Sequence, residues 1–289
     1  MAVSPSHKFG QIIGDVLEAA ILPMLSAFAS KHGLYLDKKG PRRARTGNKV
    51  SWKDLNGNTH DLDFVLERHG SADRLGAPVA FIEAAWRRYT KHSRNKAQEI
   101  QGAVMPLVET YARERPFKGA IIAGVFTEGA LTQLRSLGFV VLFFPYDTII
   151  SAFKKVGIDA FYDESTSDGD FETKLQRWEK LTTNEKLEVS KGMIELNQGE
   201  VAKFVEALKI SVSRTIKSVG IKILHGTSFE WQTIEEAITF INAYDEGKNS
   251  YPFVRYEIEI VYNNGDVIEA EFGSKKDALE FLATYGPRK

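Results

Sequence analysis

The spacing of apolar and polar residues in the first half of the chain predicts alternating helices and strands. Near the start, apolar residues recur every three or four positions, which is the period of a core-facing helix, and Pro23 predicts a bend within it. Further along, Asn56-Gly57 separates two strand-like runs and is the strongest short-range signal for a β-hairpin. The predicted order is helix, three strands, helix, strand, helix and strand, at 9–29, 50–55, 61–67, 78–86, 93–115, 120–125, 129–137 and 139–144.

The second half combines a helical stretch with an internal repeat. Residues 171–217 have helical spacing, with breaks near Thr182 and at Gln198-Gly199. Beyond them, 233–244 and 274–285 fit one pattern, Ser/Thr-x-x-acid-Ala-Ile/Leu-x-Phe-Ile/Leu-x-x-Tyr, whose first four positions form a helix start. Strand-like runs precede each copy, so we predict two strand-strand-helix units.

These patterns divide the chain into three parts. We predict a core over 1–165, a helical connector over 166–215, and a small C-terminal α+β domain with an internal repeat over 216–289. The composition, 43% hydrophobic and 26% charged over 289 residues, excludes a disordered or fibrous chain. The absence of cysteine excludes disulfides, thiolate metal sites and cysteine nucleophiles.

The apolar stretches are interrupted before they reach the length of a membrane span. Asp15 and Glu18 break the apolar N-terminal segment, and no uninterrupted apolar run approaches the roughly 18 residues that a bilayer requires. We therefore expect a cytoplasmic protein without a membrane partner.

Basic residues cluster locally although the chain is neutral overall. With 38 Lys and Arg against 38 Asp and Glu, an anionic partner would have to be attracted by local patches. One basic cluster lies in a loop predicted over 38–49 and another over 87–96, and such clusters supply the phosphate contacts of nucleic-acid-binding proteins. The predicted nucleic-acid-binding residues are Lys38, Lys39, Arg42, Arg43, Arg45, Arg87, Arg88 and Arg94.

Two carboxylates are predicted to meet on neighbouring strands. Strand alternation places Asp61 and Asp63 on one face of the second strand, and places Glu83 inside the otherwise apolar third strand. If these strands pair, Asp63 and Glu83 approach closely enough to hold one or two divalent cations through oxygen ligands, which would support phosphodiester hydrolysis. In the alternative interpretation, Glu83 pairs with a neighbouring Arg and the aspartates cap the hairpin.

The order of elements over residues 8–146 resembles the PD-(D/E)XK nuclease superfamily, which includes most type II restriction endonucleases. The shared features are a first helix, a hairpin carrying an Asp, a third strand with an acid, and a following helix and strands. The resemblance implies an α/β fold with a restriction-endonuclease-like core, in which a mixed central sheet is flanked by helices. It implies Mg²⁺ or Mn²⁺ bound by Asp63 and Glu83, with Asp61 as the competing or second ligand.

In that superfamily a Lys two residues after the acid assists the attacking water, and this sequence has Ala85 there. Lys96 and Lys91, near the entry of the next helix, are the preferred replacements over Arg87, because an Arg stays protonated and cannot act as a base. Gln101 completes the predicted catalytic set, since a Gln after the acidic strand often supports the site in the resembling family. A buried amide bonded to backbone is its alternative role.

The function expected from these features is that of a magnesium-dependent DNA endonuclease, with a type II restriction endonuclease as the leading form. The resemblance implies double-stranded DNA as substrate and a symmetric homodimer. The alternatives are a non-catalytic DNA-binding protein on a nuclease scaffold, which Ala85 favours, and a repair or RNA-directed nuclease. No phosphate-binding loop indicates a nucleotide cofactor.

Overall fold

The computed structural model describes residues 4–213, 215–223, 227–247 and 252–286. Its internal contacts divide the chain into two units, Met1–Val212 and Ser213–Lys289. The elements of the first unit are α1 (Pro5–Lys31), β1 (Leu34–Lys38), β2 (Val50–Lys53), β3 (Thr59–Leu62), β4 (Phe64–Arg68), β5 (Ala77–Arg87), a 3-10 helix (Thr90–His92), α2 (Ser93–Thr110), β6 (Phe117–Gly124), α3 (Glu128–Ser136), β7 (Val140–Pro145), α4 (Tyr146–Lys154), α5 (Asp168–Lys180), α6 (Thr183–Leu196) and α7 (Gln198–Val212).

The first unit is built on a five-stranded mixed sheet with the strand order β1-β4-β5-β6-β7. β1, β4 and β5 pair as antiparallel neighbours, whereas β5, β6 and β7 pair in parallel. The parallel strands are joined through α2 and α3, as parallel pairs require a crossover connection. A mixed α/β fold with a mixed central sheet flanked by helices is therefore confirmed.

Two hydrophobic cores lie on opposite faces of this sheet. Residues of α1 and α4–α7 share one core with Ile82 of β5, and residues of α2 and α3 share the other with Phe81 and Ala85. The alternation predicted for the third strand is thus observed along β5. Glu83 has the same parity as Phe81 and Ala85, which places it on the α2 side of the sheet.

The predicted hairpin is present but is separate from the central sheet. β2 and β3 form their own two-stranded sheet, and Gly57 at the turn has a φ of 83°, a conformation that favours glycine. A bend at Asp63 then separates β3 from β4, which enters the central sheet. One strand predicted over 61–67 is therefore two strands that belong to two sheets.

Three elements differ from the sequence-based prediction. β1, which was not predicted, ends at the first residue of the segment predicted as a basic loop, and α4 follows β7 directly. The segment predicted as a connector over 166–215 is helical, but α5–α7 lie within the first unit and not between the units. Their buried residues Phe171, Met193 and Phe204 belong to the core that also contains α1, so the core extends beyond residue 165.

The second unit is an antiparallel sheet covered on one face by two helices. Its elements are β8 (Ile216–Ile223), β9 (Thr227–Trp231), α8 (Ile234–Ala243), β10 (Tyr256–Tyr262), β11 (Val267–Phe272) and α9 (Lys275–Ala283). The strand order is β11-β10-β8-β9, and α8 and α9 pack in a single core with it. The predicted strand-strand-helix pattern occurs twice; predictions that extend over 224–226, 248–251 and 287–289 lie outside the described residues.

Among the described residues, α1 is the one helix that is long and apolar enough to cross a membrane by length and composition. An 18-residue window of it has a mean hydropathy of 1.7, and 44% of that window is buried in the structure. Phe9, Ile13 and Leu17 of this helix are almost fully buried in the first core. Counting uninterrupted apolar runs missed this property, because Asp15 and Glu18 lie within the helix.

Candidate functional site

Asp63 and Glu83 meet at the point where the chain passes from the hairpin into the central sheet. In the antiparallel pairing of β4 with β5, Phe64 lies opposite Ile82, so Asp63 reaches the level of Glu83. The backbone N–H of Ala84 donates to Asp63 Oδ2 over 2.7 Å, which fixes the Asp63 carboxylate against β5. Asp63 and Glu83 are therefore neighbours across the two strands, and their role as metal ligands stays a prediction.

Burial raises the pKa values of both acids, and the Asp63 charge raises that of Glu83 further. Desolvation raises the pKa of Glu83 to about 8, and the neighbouring Asp63 charge adds to the effect. Desolvation also raises the pKa of Asp63, while the Ala84 hydrogen bond and the charges of Lys96 and Lys39 oppose the rise. Positive charge placed between the two carboxylates would stabilise both.

Glu18 of α1 is the third acid in this neighbourhood. Its pKa is raised first by desolvation and then by the Asp63 charge, while Lys39 lowers it. From the sequence, Glu18 is only a weak candidate for an acidic ligand, because most helix acids face solvent. The Asp63 charge therefore acts on the Glu18 carboxyl.

Glu83 has an unsatisfied oxygen. The residue is 7% exposed, and its Oε1 atom is buried without a hydrogen-bond partner. A buried carboxylate oxygen left in this state is costly unless it holds a proton or contacts a cation. The Asp63–Glu83 pair thus offers the carboxylate oxygen ligands that a hard divalent cation prefers.

Within the part of the chain that the structure describes, no group of three or more His, Asp or Glu side chains is arranged to hold a metal ion. Magnesium is commonly bound through one or two carboxylates, with water and substrate phosphate oxygens completing its octahedral shell. The two-carboxylate arrangement fits this mode and does not form an all-protein cage.

Of the three cations considered as replacements for the Lys missing at Ala85, Lys96 has the clearest electrostatic effect on the acids. Its charge lowers the pKa of both Asp63 and Glu83, and its side chain is 18% exposed. Lys91 instead pairs with Glu164 over 3.4 Å at the surface. Arg87 donates to the backbone oxygen of Trp86 and lies 3.6 Å from Glu99.

Asp61, the competing ligand, is engaged elsewhere. Its carboxylate accepts from Lys49 Nζ and Ser51 Oγ, both over 2.6 Å, and these bonds lower its pKa. The two aspartates were expected to share a strand face, but the bend at Asp63 ends β3 and removes that relation. The structure therefore presents Asp63 to Glu83 through β4 and leaves Asp61 on the hairpin.

Gln101 does not support the pair as expected. Its Oε1 atom accepts from Gln133 Nε2 over 3.1 Å, so this amide links α2 to α3. The supporting role was implied by the family resemblance and not by the direction in which the apolar stripe of the helix faces. The stripe faces the second core, where α3 covers it.

Two of the arginines of the basic loop form ion pairs inside the protein. Arg42 is 7% exposed and forms a bidentate pair with the buried Glu67, while its Nη1 atom lies 2.8 Å from Asp37. Arg45 also pairs with Asp37, over 3.1 Å. The prediction that Arg42 and Arg45 contact phosphates is therefore wrong, because both guanidinium groups are occupied inside the fold.

The remaining predicted basic residues divide into bound and exposed groups. Arg88 donates to the Tyr162 carbonyl oxygen over 2.6 Å and lies over the Tyr146 ring at 4.3 Å, so it has a structural role. Arg43 is exposed and pairs with Asp73 over 2.6 Å. Lys38, Lys39 and Arg94 are exposed and remain candidates for phosphate contact.

A cleft of about 720 Å³ opens at Ala84 and Ala85, the two residues that follow Glu83 in β5, although Asp63 and Glu83 do not themselves line it. Its lining comes from the N-terminal half of α1, the end of β5 with the residues that follow, Lys96 of α2, and the segment 162–171. Sequence reasoning missed the contribution of 162–171, because its acidic and small residues are equally typical of a domain boundary.

The fold and site define a mixed α/β protein in which the half-buried Asp63 adjoins the buried Glu83, with a charged cleft lined by the residues that follow Glu83. No protein-family model matches the chain, and no curated protein matches it significantly. A crystal structure of a protein of unknown function, AF1548, is similar over 68% of this chain and 94% of that chain, at 10% sequence identity and a TM-score of 0.28. A similarity at this level carries no inference about fold or activity.

Proposed function

We propose that the protein is a magnesium-dependent deoxyribonuclease whose first unit has a restriction-endonuclease-like core. The observation that carries the proposal is the convergence of Asp63 and Glu83, with a buried Glu83 oxygen that has no partner. A bound Mg²⁺ or Mn²⁺ would supply Lewis-acid polarisation of a phosphate and a water of lowered pKa.

Each residue has a distinct role in this proposal. Asp63 and Glu83 hold the cation in their ionised forms, and the Ala84 N–H keeps Asp63 in place. Lys96 orients the attacking water and offsets the charge of the two carboxylates. Hydrolysis forms a bond from the water oxygen to phosphorus and breaks one phosphodiester P–O bond, and the departing oxygen takes up a proton.

The finer features of the proposal rest on the family resemblance. Lys38, Lys39 and Arg94 would contact the backbone of double-stranded DNA, since they are exposed basic residues of the first unit. A homodimer that cuts both strands as part of a cytoplasmic restriction system is the leading form. A repair nuclease would share the same acids and differ in its DNA substrate.

The test is magnesium-dependent cleavage of supercoiled and linear DNA, compared with EDTA. We expect Glu83→Gln and Asp63→Asn to lower the rate by at least about 100-fold, because each removes a charged ligand of the cation. Asp61→Asn is the matched control and should retain nearly the full rate, since Asp61 pairs with Lys49 on the hairpin. Equal loss in all three variants would contradict the assignment of Asp63 and Glu83.

A second candidate function is a non-catalytic DNA-binding protein, and Ala85 favours it. The position two residues after Glu83 lacks a cation, so the attacking water would depend on Lys96 alone. Wild-type protein that shifts DNA in a gel but cuts it with neither Mg²⁺ nor Mn²⁺ would establish this alternative. Discrete bands would indicate a sequence-specific restriction enzyme, and a smear would indicate a less specific nuclease.

A further inference from the structure

Two of the α1 residues that line the cleft are glycines, Gly10 and Gly14, where a larger side chain would occupy part of the cleft. His7, Gly10, Gln11 and Gly14 line the cleft at helical spacings of three and four, and Glu18 follows Gly14 by one turn. This face of α1 therefore carries both the residues that line the cleft and Glu18.

The internal packing of the protein does not require these glycines. A Cβ atom at Gly14 would meet nothing within 4 Å, and one at Gly10 would lie 3.8 Å from Trp86 Nε1, an ordinary contact distance. Each glycine inside a helix costs about 1 kcal/mol relative to alanine. Their effect is to leave the cleft open along the helix.

The charges around the cleft are segregated by element. Arg87 and Lys96 line the side formed by β5 and α2, and both pair with Glu99 at 3.6 and 3.3 Å. The Glu99 side chain is 58% exposed, so these pairs are weak and can exchange for phosphate oxygens. Acids occur on the segment 162–171, where Asp163 accepts from the backbone and hydroxyl of Ser165. A phosphate backbone is therefore favoured along the β5 and α2 side.

Aromatic side chains complete the lining. Trp86 and Tyr89 are partly exposed at the end of β5 and just beyond it, and both line the cleft. Flat aromatic rings beside a basic groove are the usual platform for unstacked bases, because every base can stack on them. The volume of about 720 Å³ is within the range of pockets that enclose a single small ligand, and it is too small for a duplex.

We propose that this cleft binds an unpaired stretch of one DNA strand, so that the preferred substrate is a duplex with a single-stranded tail. The inference rests on the proposed nuclease function and narrows its substrate class. Phosphates would lie along Arg87 and Lys96, and unstacked bases would contact Trp86 and Tyr89. An intact duplex would have to break base pairs before one strand could enter the cleft, and breaking them costs free energy. An unpaired tail can enter without this cost.

The test measures binding in EDTA, where no cleavage occurs, by fluorescence anisotropy of labelled blunt duplexes and of the same duplexes with an unpaired tail. We expect about tenfold tighter binding of the tailed duplex, the size of a single base-stacking interaction. Gly14→Leu should abolish this preference, because the leucine side chain would fill part of the cleft. Gly102→Leu is the matched control, because Gly102 is an exposed α2 glycine with nothing within 4 Å of its Cβ position, and it does not line the cleft.

Thermal melting of both variants checks that they fold, and both should match or exceed wild type because leucine is a better helix former than glycine. Equal affinity for blunt and tailed DNA in the wild type would overturn the proposal, as would a Gly14→Leu protein that keeps the preference. Failure of the nuclease function is a separate result: it would appear as absent cleavage of every substrate with Mg²⁺ while the EDTA binding preference persists.

Discussion

The carboxylate of Glu83 is stable as an anion only when positive charge is near. It is 7% exposed, it faces the charge of Asp63, and burial raises its pKa to about 8. In the unfolded chain the same group titrates near 4.5. Between these two pH values the folded protein holds a proton that the unfolded chain has released. The protonated Glu83 therefore contributes its full stabilisation of the folded state below pH 4.5, and this contribution is lost as the pH rises to about 8.

This linkage predicts how Glu83→Gln changes the pH dependence of folding. We expect the free energy of unfolding of wild type to fall from pH 5 to pH 8 relative to that of the variant, which has no titrating group at this position. Urea titrations of both proteins at several pH values measure the difference. Parallel curves would show that Glu83 keeps an ordinary pKa in the folded protein.

A divalent cation should reverse the effect at the upper end of that range. On the proposed metal site, adding Mg²⁺ at pH 8 should raise the melting temperature of wild type, because a cation bound by the ionised pair would stabilise the folded state. Asp63→Asn should show no such rise, and Asp61→Asn should behave as wild type. Melting scans with and without Mg²⁺ provide the measurement, and a rise of equal size in all three proteins would place the cation elsewhere.

Lys96 and Lys91 provide a second comparison between individual residues. Lys96→Met should lower the cleavage rate by about 100-fold, since Lys96 is the cation that both acids sense. Lys91→Met should leave the rate nearly unchanged, because Lys91 pairs with Glu164 at the surface. The experiment is a single-turnover cleavage assay. A larger loss of rate in Lys91→Met than in Lys96→Met would show that Lys91, and not Lys96, assists the attacking water.

Between β1 and β4, an ion network holds the elements that flank the site. Arg42 binds Glu67 of β4 and Asp37 of β1, and it also donates to the backbone oxygens of Ser71 and Arg74. The buried guanidinium therefore ties the loop after β1 to the loop after β4. Removing one member leaves a buried charge without its partner, which is the costly way to break such a network.

This arrangement predicts a contrast between two adjacent arginines. Arg42→Met should lower the free energy of unfolding by about 3–5 kcal/mol, because Glu67 and Asp37 lose their shared buried partner. Arg43→Met should lower it by less than about 1 kcal/mol, because the Arg43–Asp73 pair is exposed. Chemical denaturation distinguishes them, and similar values would mean that the network contributes no more than a surface pair.

The elements that could be predicted from sequence are those whose signals are local. The Asn56-Gly57 turn and the Thr233 and Ser274 helix starts follow from short-range chemistry, and the structure has each in place. The pairing of Asp63 with Glu83 followed from strand alternation combined with the family resemblance.

Other features depend on contacts between residues distant in the sequence, and these were missed. Whether Arg42 contacts solvent or Glu67 is decided by the pairing of β1 with β4, which no local pattern reveals. The helices α5–α7 were predicted as a connector from their helical spacing, which does not show what they pack against. In the structure they pack against α1 and the sheet. The bend at Asp63 was hidden within a continuous strand-like run.

At the scale of the whole molecule, each of the two units has its own hydrophobic core. Leu282 is fully buried in the second unit, and Phe204 is buried in the first. Each unit therefore has the burial that an independently folding domain requires.

Separate cores predict separate responses to cavity-forming changes. Leu282→Ala should destabilise the second unit by about 2–5 kcal/mol and leave magnesium-dependent cleavage by the first unit unchanged. Phe204→Ala should destabilise the first unit by about 3–5 kcal/mol and lower the temperature at which cleavage is lost. Calorimetry together with activity after heating makes the comparison; loss of cleavage in parallel with the second unit would show that the two units fold as one.

The separation of the β2–β3 hairpin from the central sheet has a practical consequence. Pairing of Phe64 with Ile82 holds Asp63 in place independently of the hairpin tip, where Leu55 is 70% exposed. A dye attached at Leu55→Cys, in a chain without native cysteine, would leave the acids undisturbed. The hairpin thus offers a labelling position from which the proposed binding of DNA could be followed in real time.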